Sequence, residues 1–428
     1  MVMKGESMAV RDSSPRYAPG VCIPVVPEGY KKTDVGSIPE VWECVPIASL
    51  GDGKVPPVKA GPFGSSITKD QYVPAGYKVY GQEQVIRGDY LYGDYFISAR
   101  KYRELESCAV RPGDILLSLV GTLGKLLEIP DEAPQGVINP RLLRLSLDRQ
   151  RILPRFLKYL FESEGVQARL ERQAQGGTMG VLNAGVLRRF SIALPPLNEQ
   201  RAIATALSDV DALLEALDRL IAKKRDIKQA TMQQLLTAQT RLPGFAGHWE
   251  IKQLGELLTI CHGRNQRDVE VKDGPFPILA TGGKIGTAKQ PLYAGPSVLI
   301  GRKGTINKPQ YMAGPFWTVD TLFYSIIEGE NNAKFLYYRL LMIDWMQYNE
   351  ASGVPSLNAR TIESIEIPCP EPAEQLAIAA VLSDMGTEIE ALEQRRTKTA
   401  ALKQAMMQEL LTGRTRLVGL QVGAEAGE

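Results

Sequence analysis

The sequence predicts an α+β fold: two mixed α/β domains separated by two long helices that pair with each other, the whole carrying a pseudo-twofold internal repeat. Three observations predict it. A long stretch recurs at a constant offset, each copy holds a proline-free heptad pattern, and short β-like runs broken by glycine-rich loops precede each copy.

At 428 residues the chain is too long for one ordinary core, so two or more domains are expected. We place an N-terminal extension at 1–36, a first domain at 37–194 and a central helix at 195–240. A second domain follows at 241–369, then a C-terminal helix at 370–417 and a flexible tail at 418–428. Met1 to Tyr30 is polar, broken by Pro15, Pro19, Pro24 and Pro27, and lacks the apolar core of a secretory signal. No apolar run reaches the roughly 18 residues that would span a bilayer. The expectation is a cytoplasmic protein with no membrane partner. Five cysteines (Cys22, Cys44, Cys108, Cys261, Cys369) form no C-x-x-C pair, so neither a disulfide framework nor a metal site is expected.

The repeat is gapless where it is strongest. Glu199-Gln200 recurs as Glu374-Gln375, and the register then holds through Ala202-Ile203-Ala204 on Ala377-Ile378-Ala379. It continues through Leu207-Ser208-Asp209 on Leu382-Ser383-Asp384 and ends with Thr240-Arg241-Leu242 on Thr415-Arg416-Leu417. Upstream, Leu182-Asn183-Ala184 matches Leu357-Asn358-Ala359. Gly121-Thr122-Leu123-Gly124-Lys125 resembles Gly304-Thr305-Ile306-Asn307-Lys308. Trp42-Glu43 and Trp249-Glu250 each open a unit.

Within each copy the apolar residues step by four and three. The first seam reads Ile203, Leu207, Val210, Leu214, Leu217, Ile221. The second reads Ile378, Leu382, Met385, Ile389, Leu392 and resumes at Leu402, Met406, Leu410. Helices of about 39 residues would be about 58 Å long. A stripe this narrow cannot stabilise a lone helix, so the two copies are expected to pair. Pro195-Pro196 and Pro370 stop what precedes, while Glu199 and Glu374 fall in first turns, where the macrodipole favours acid. Gly413 suits a C-cap; Ala238 stands in its place in the first copy. Six acidic and six basic residues lie between Glu199 and Lys228, a balance that offers little to a nucleic acid. A hairpin packed on one domain is the plainer reading; a spacer between two domains accounts for the duplication as well.

The domains offer a different chemistry. Residues 274–319 contain no Asp or Glu but carry Lys284, Lys289, Arg302, Lys303 and Lys308 among glycines. That is the electrostatic footprint of phosphate contact. In the first domain Tyr90, Tyr92, Tyr95 and Phe96 fall near Arg87, Arg100, Lys101 and Arg103. Base-edge readers would be polar side chains reaching a groove: Gln82, Gln84 and Arg87 in the first domain, Arg264, Asn265, Gln266 and Arg302 in the second. Ser65, Ser66, Lys69, Thr122, Lys125 and Thr305 complete the candidate DNA-binding set. The bland reading stands beside it: a single Lys or Arg is usually a solvated charge, and Gly-Thr-x-x-Lys can be a hairpin turn.

Catalytic signatures are missing. His248 and His262 have no twins, so a duplicated histidine site is excluded; no P-loop, no glycine-rich cofactor loop and no Asn-Pro-Pro-aromatic motif occurs, Asn139-Pro140 being followed by Arg141. No catalytic residue and no metal ligand is nominated, and the chain is read as binding no cofactor itself.

Leu194-Pro195-Pro196-Leu197-Asn198-Glu199-Gln200, with Arg201-Ala202-Ile203-Ala204, resembles the motif that opens the long helices in specificity subunits of Type I restriction–modification systems. Tyr30-Lys31-Lys32-Thr33 through Trp42-Glu43 and the loop Gly61-Pro62-Phe63-Gly64-Ser65-Ser66 are similar to stretches of the same family. The second copy departs from the motif at Glu371-Pro372-Ala373. The resemblance implies two target-recognition domains on an antiparallel coiled coil, each reading half of a bipartite DNA target, with the helices setting the gap. It also implies partners: double-stranded DNA, two modification (methyltransferase) subunits, and restriction (endonuclease/translocase) subunits. S-adenosylmethionine, ATP and Mg would sit on those partners. Two rivals remain: a coiled-coil scaffold whose paired domains bind proteins, and a fused methyltransferase or nuclease fragment.

Overall fold

The computed structural model describes residues 26–119, 124–175 and 183–417. Thr122, Leu182 of the repeat, and the tail from residue 418 lie outside the described residues. The chain divides into two compact units, Met1–Asp211 with Ala401–Glu428, and Ala212–Ala400.

In the first unit, Ile115-Leu116-Leu117 is apolar without alternation and every residue is buried. Such a run belongs in the middle of a sheet covered on both faces. Strand Ile115–Ser118 accordingly lies second in a four-stranded antiparallel sheet, ordered Leu126–Glu128, Ile115–Ser118, Leu142–Leu145, Val58–Ala60. A second sheet of five strands pairs Tyr77–Tyr80 with Gly136–Ile138 in parallel. Strands Glu43–Pro46 and Ser191–Leu194 form a separate antiparallel pair.

The second unit repeats this plan. Its four-stranded sheet is ordered Leu258–Cys261, Leu322–Ile327, Ser297–Gly301, Gln310–Met312, again antiparallel. The parallel pair recurs as Phe276–Ala280 with Trp317–Thr318, and the two-stranded pair as Glu250–Gln253 with Glu366–Cys369. The duplication therefore extends through domains whose loop sequences have drifted apart.

Two long helices, Leu197–Leu236 and Pro372–Leu410, share the cores. In the first unit Ile203 and Leu207 of one cluster with Met407 and Leu410 of the other. In the second unit Leu235 and Leu236 cluster with Ile378 and Leu382. Early residues of one helix thus meet late residues of its partner, and the pair is antiparallel. Lys403 bonds Asp211 at 2.6 Å in the first unit; Lys224–Glu388, Arg225–Glu393 and Arg396–Asp218 bridge the helices in the second.

Of the expected seam, Ile203, Leu207, Leu217, Ile221, Ile378, Leu382, Ile389 and Leu410 are buried, while Val210, Leu214, Met385, Leu392 and Met406 are half-buried. Leu402 corrects the sequence reading: it is 56% exposed, and Thr399 is buried instead. From Leu392 the heptad steps through Arg396, Thr399 and Lys403, so the seam's middle is polar and hydrophobicity alone picked the wrong face.

Both helices end alike. Gly413 has φ +72° and Ala238 has φ +56°, and Thr415 and Thr240 donate their amides back to Glu409 and Gln234. This left-handed closing turn suits glycine; at Ala238 it costs about 1 kcal/mol.

Each helix start is fixed to the domain it enters. Glu199 is 1% exposed, accepts Trp42 Nε1 at 2.9 Å, and receives two bonds from Arg416. Glu374 accepts Trp249 Nε1 at 3.1 Å and two bonds from Arg241. The next residue, Gln200, accepts the amide of Leu153 and donates to the carbonyls of Arg151 and Pro195. Gln375 does the same with Asn332, Asn331 and Pro370. Glu-Gln is therefore a buried docking element and more than a favourable first-turn acid.

Candidate nucleic-acid interface

In both units, loops leaving the carboxyl ends of the parallel strands and their neighbours converge. Loops at such strand ends are where open sheets with parallel strands commonly bind ligands. In the second unit the convergence is built around Thr318–Thr321. Gly263 packs so tightly there that a β-carbon would lie 2.0 Å from the Val319 carbonyl. The Arg264 amide donates to Thr318 O at 2.9 Å, and Trp317 Nε1 donates back to Arg264 O at 2.8 Å. Arg302 donates its amide to Thr321 O and its guanidinium to Asp320 O. The Gly304 turn is held by Pro355 O and comes close to Thr281.

This arrangement gathers Arg264, Asn265, Gln266, Arg302, Lys303 and Thr305, with Lys284 on the adjoining hairpin and Lys308 in the loop after Thr305. Arg264, Asn265, Lys284, Lys303 and Lys308 are exposed; Gln266, Arg302 and Thr305 are half-buried. Lys289 is separated from them. It follows the far end of strand Gly283–Ala288, about 17 Å along the hairpin from Lys284. Asp320 stands exposed at the same loops, an acid the sequence reading did not include.

The first unit repeats the design with different side chains. Gly61 presses on Asn139, where a β-carbon would lie 1.9 Å from the carbonyl oxygen, and Gly81 meets the Asn139 amide. The Asn139 amide donates to Tyr80 O, and Leu119 donates to Arg141 O. Ser65, Ser66 and Gln82 therefore join these loops. So does Arg141, exposed and overlooked because its significance depends on strand order. Lys69 sits exposed on the next turn, Lys69–Gln71.

Other nominated residues have different placements. Gln84 is 2% exposed: its oxygen accepts the Gly81 amide and its nitrogen donates to Tyr92 O, so it holds a helix start and faces no solvent. Arg87 lies 4.1 Å from the Tyr92 ring centroid. Arg100, Lys101 and Arg103 occupy helix Ala99–Glu104, where Arg100 and Lys101 both pair with Glu104. Strand register puts that helix beside Tyr77, the opposite end of the sheet from Gly81. Lys125 pairs with Glu162 at 3.2 Å. Among buried groups nearby, the Tyr80 hydroxyl is pushed up to about 12 by burial, and burial also lowers Lys78, whose ammonium donates to the Leu91 and Gly93 carbonyls. Both are structural.

These features define a duplicated sheet domain, mounted on shared antiparallel helices, with a polar loop cluster at the same strand ends of each copy. The chain belongs to the Type I restriction modification DNA specificity domain family, whose model matches residues 64–224 and again 247–401. It is similar to a putative type I restriction enzyme specificity subunit, MjaX, of Methanocaldococcus jannaschii: 24% identical over 431 residues, covering 91% of this chain and 97% of the relative. The MjaVIII specificity subunit of the same organism is 26% identical over 226 residues, half of each chain. Among solved structures, the S subunit from M. genitalium superposes with a TM-score of 0.55 at 17% identity, covering 86% of this chain and 96% of that one. The HsdS subunit from Thermoanaerobacter tengcongensis gives 0.51 at 17% identity, covering 88% and 98%. These two likenesses concern the fold.

Proposed function

We propose that this chain is the DNA-reading subunit of a Type I restriction–modification complex, each domain reading one half of a bipartite target. The observation that carries the reading is the recurrence of one loop cluster in both units, polar in the first and predominantly basic in the second, within a chain whose family is defined by DNA specificity. Lys284, Lys303 and Lys308 would take phosphates, and Arg264, Asn265, Gln266 and Gln82 base edges. The chain would perform no covalent chemistry. S-adenosylmethionine, ATP and Mg would be used by methyltransferase and restriction subunits, and the complex would work in the cytoplasm. Among described residues no helix is long and apolar enough to cross a membrane.

For the methyltransferase partners, the long helix Leu197–Leu236 offers Leu213, Leu220 and Ile227, each about 40% exposed and spaced by seven. Such a stripe suits a third helix. The equivalents in the other helix are Glu388, Arg395 and Leu402, so two partner copies would meet unlike surfaces.

The test is selection of random-sequence duplexes by the assembled complex. Two short motifs separated by a constant gap are expected, with affinity falling steeply as salt rises. One continuous motif, or none, would refute the reading.

A further inference from the structure

We propose that Phe63 is a stacking wedge for the first half-site, its ring laid against a base step of the duplex; the proposal rests on the DNA-reading function above. Phe63 is 88% exposed, more than any other large apolar side chain among the described residues. A solvent-facing phenylalanine is costly in isolation, and this one is held in place. On one side Gly61 is jammed against the Asn139 carbonyl and donates its amide to Leu142 O. On the other, Ser66 donates to Phe63 O at 2.8 Å, and Ile67 is buried in the domain core. The loop therefore presents the ring on a fixed backbone, with little ordering entropy left to lose on binding.

The surroundings choose the ligand. Gly64, Ser65, Thr68, Lys69 and Asp70 are all exposed, and no second large apolar residue adjoins Phe63 in this loop. A protein partner would need a contiguous apolar patch. A base step needs one flat apolar plate flanked by hydroxyls and cations that take the sugar–phosphate edges, which is how wedge residues act on duplex DNA. The second unit supports this by contrast. Counted from its own jammed glycine, Gly263, the matching position is Asn265, flanked by Arg264 and Gln266. The same loop would thus read by stacking in one domain and by hydrogen bonding in the other.

The experiment uses the full chain in its assembled complex and a random-sequence duplex pool, comparing wild type with Phe63→Ala and Phe63→Trp. For Phe63→Ala, enrichment of one half-site should collapse and affinity for the wild-type target should fall about 5- to 100-fold, with the other half-site and the salt slope retained. Phe63→Trp should preserve binding. Its emission should quench on the selected duplex, against a background in which Trp42, Trp249, Trp317 and Trp345 are all buried. Unchanged half-sites and affinity in Phe63→Ala would overturn the wedge, as would unquenched emission in Phe63→Trp. Loss of partner subunits from Phe63→Ala with DNA selection intact would overturn it in favour of a protein contact. If wild type itself selects no half-site, the DNA-reading function fails first and takes the wedge with it.

Discussion

Arg416 grips Glu199 through two parallel bonds of 2.6 and 2.8 Å, joining residues 217 positions apart in the chain. Its twin, Arg241 on Glu374, uses two bonds of 2.6 Å. Both guanidiniums also lie within 6 Å of the tryptophan that donates to the same carboxylate.

Removing one guanidinium leaves a carboxylate that is almost wholly buried without its counter-charge. Arg416→Ala should cost about 2–4 kcal/mol, somewhat less than breaking a fully buried pair, because Arg416 is one-quarter exposed. Hydrogen exchange should accelerate around Trp42 and Leu197–Asp211 while Glu374 and its neighbours stay protected. Arg241→Ala should give the mirror result. Equal loosening of both units would show that the two clasps do not act locally.

The helix seam holds a second asymmetry. Lys403 sits over the Tyr159 ring and pairs with Asp211, whereas Lys228 sits over Tyr338 and faces Gly386, the repeat equivalent of Asp211. Burial lowers the Lys228 pKa, with only Glu390 opposing it. Gly386→Asp should supply the missing carboxylate and remove a mid-helix glycine, stabilising by about 0.5–1.5 kcal/mol once the flexible Lys228 tip shifts. Denaturation midpoints of Gly386→Asp and Gly386→Ala separate the charge from the backbone effect; no gain from Asp over Ala would refute the pairing.

The two closing turns give a matched pair of substitutions. At Gly413 a β-carbon would meet Pro39 at 2.6 Å and Trp42 at 3.2 Å, on a backbone of φ +72°. Gly413→Ala should destabilise by about 2–4 kcal/mol. Ala238→Gly should stabilise by about 0.5–1 kcal/mol, because it relieves a left-handed alanine at small loss of packing. Thermal melts of both variants check the signs.

The antiparallel register fixes where a spacer could be lengthened. One heptad between Arg219 and Leu220, with another between Gln394 and Arg395, falls at positions that face each other and are also repeat equivalents. The ion pairs Asp211–Lys403, Asp218–Arg396, Lys224–Glu388 and Arg225–Glu393 would all survive. The unread gap should grow by about three base pairs, since seven helical residues rise about 10 Å. Sequencing of selected duplexes reads this directly, and an unaltered gap would show that the helices are not the ruler.

The helices and the duplication were legible because heptads and gapless repeats are local signals. The seam slipped at Leu402, where the inward positions are the buried Thr399 and the half-buried Lys403 and apolarity pointed outward. The loop clusters were half-legible. Charge and amide content nominated Arg264 through Gln266, but Arg141 and Asp320 join the site only through strand order, which periodicity cannot reveal. Gln84 misled because a helix-capping amide and a base-reading amide look alike in sequence. Glu199 was read for its helix dipole alone, since its partner Arg416 is distant in the chain.

The first unit contains both the earliest described residues and everything from Ala401 onward. During synthesis on the ribosome, then, the first domain made is the last to be completed: Glu199 waits for Arg416, and Ile203 and Leu207 wait for Met407 and Leu410. A premature stop anywhere between Ala401 and Met407 would leave the second unit finished and the first one open. The nascent chain must shelter that exposed apolar helix face until Met407, Leu410 and Leu411 have been made.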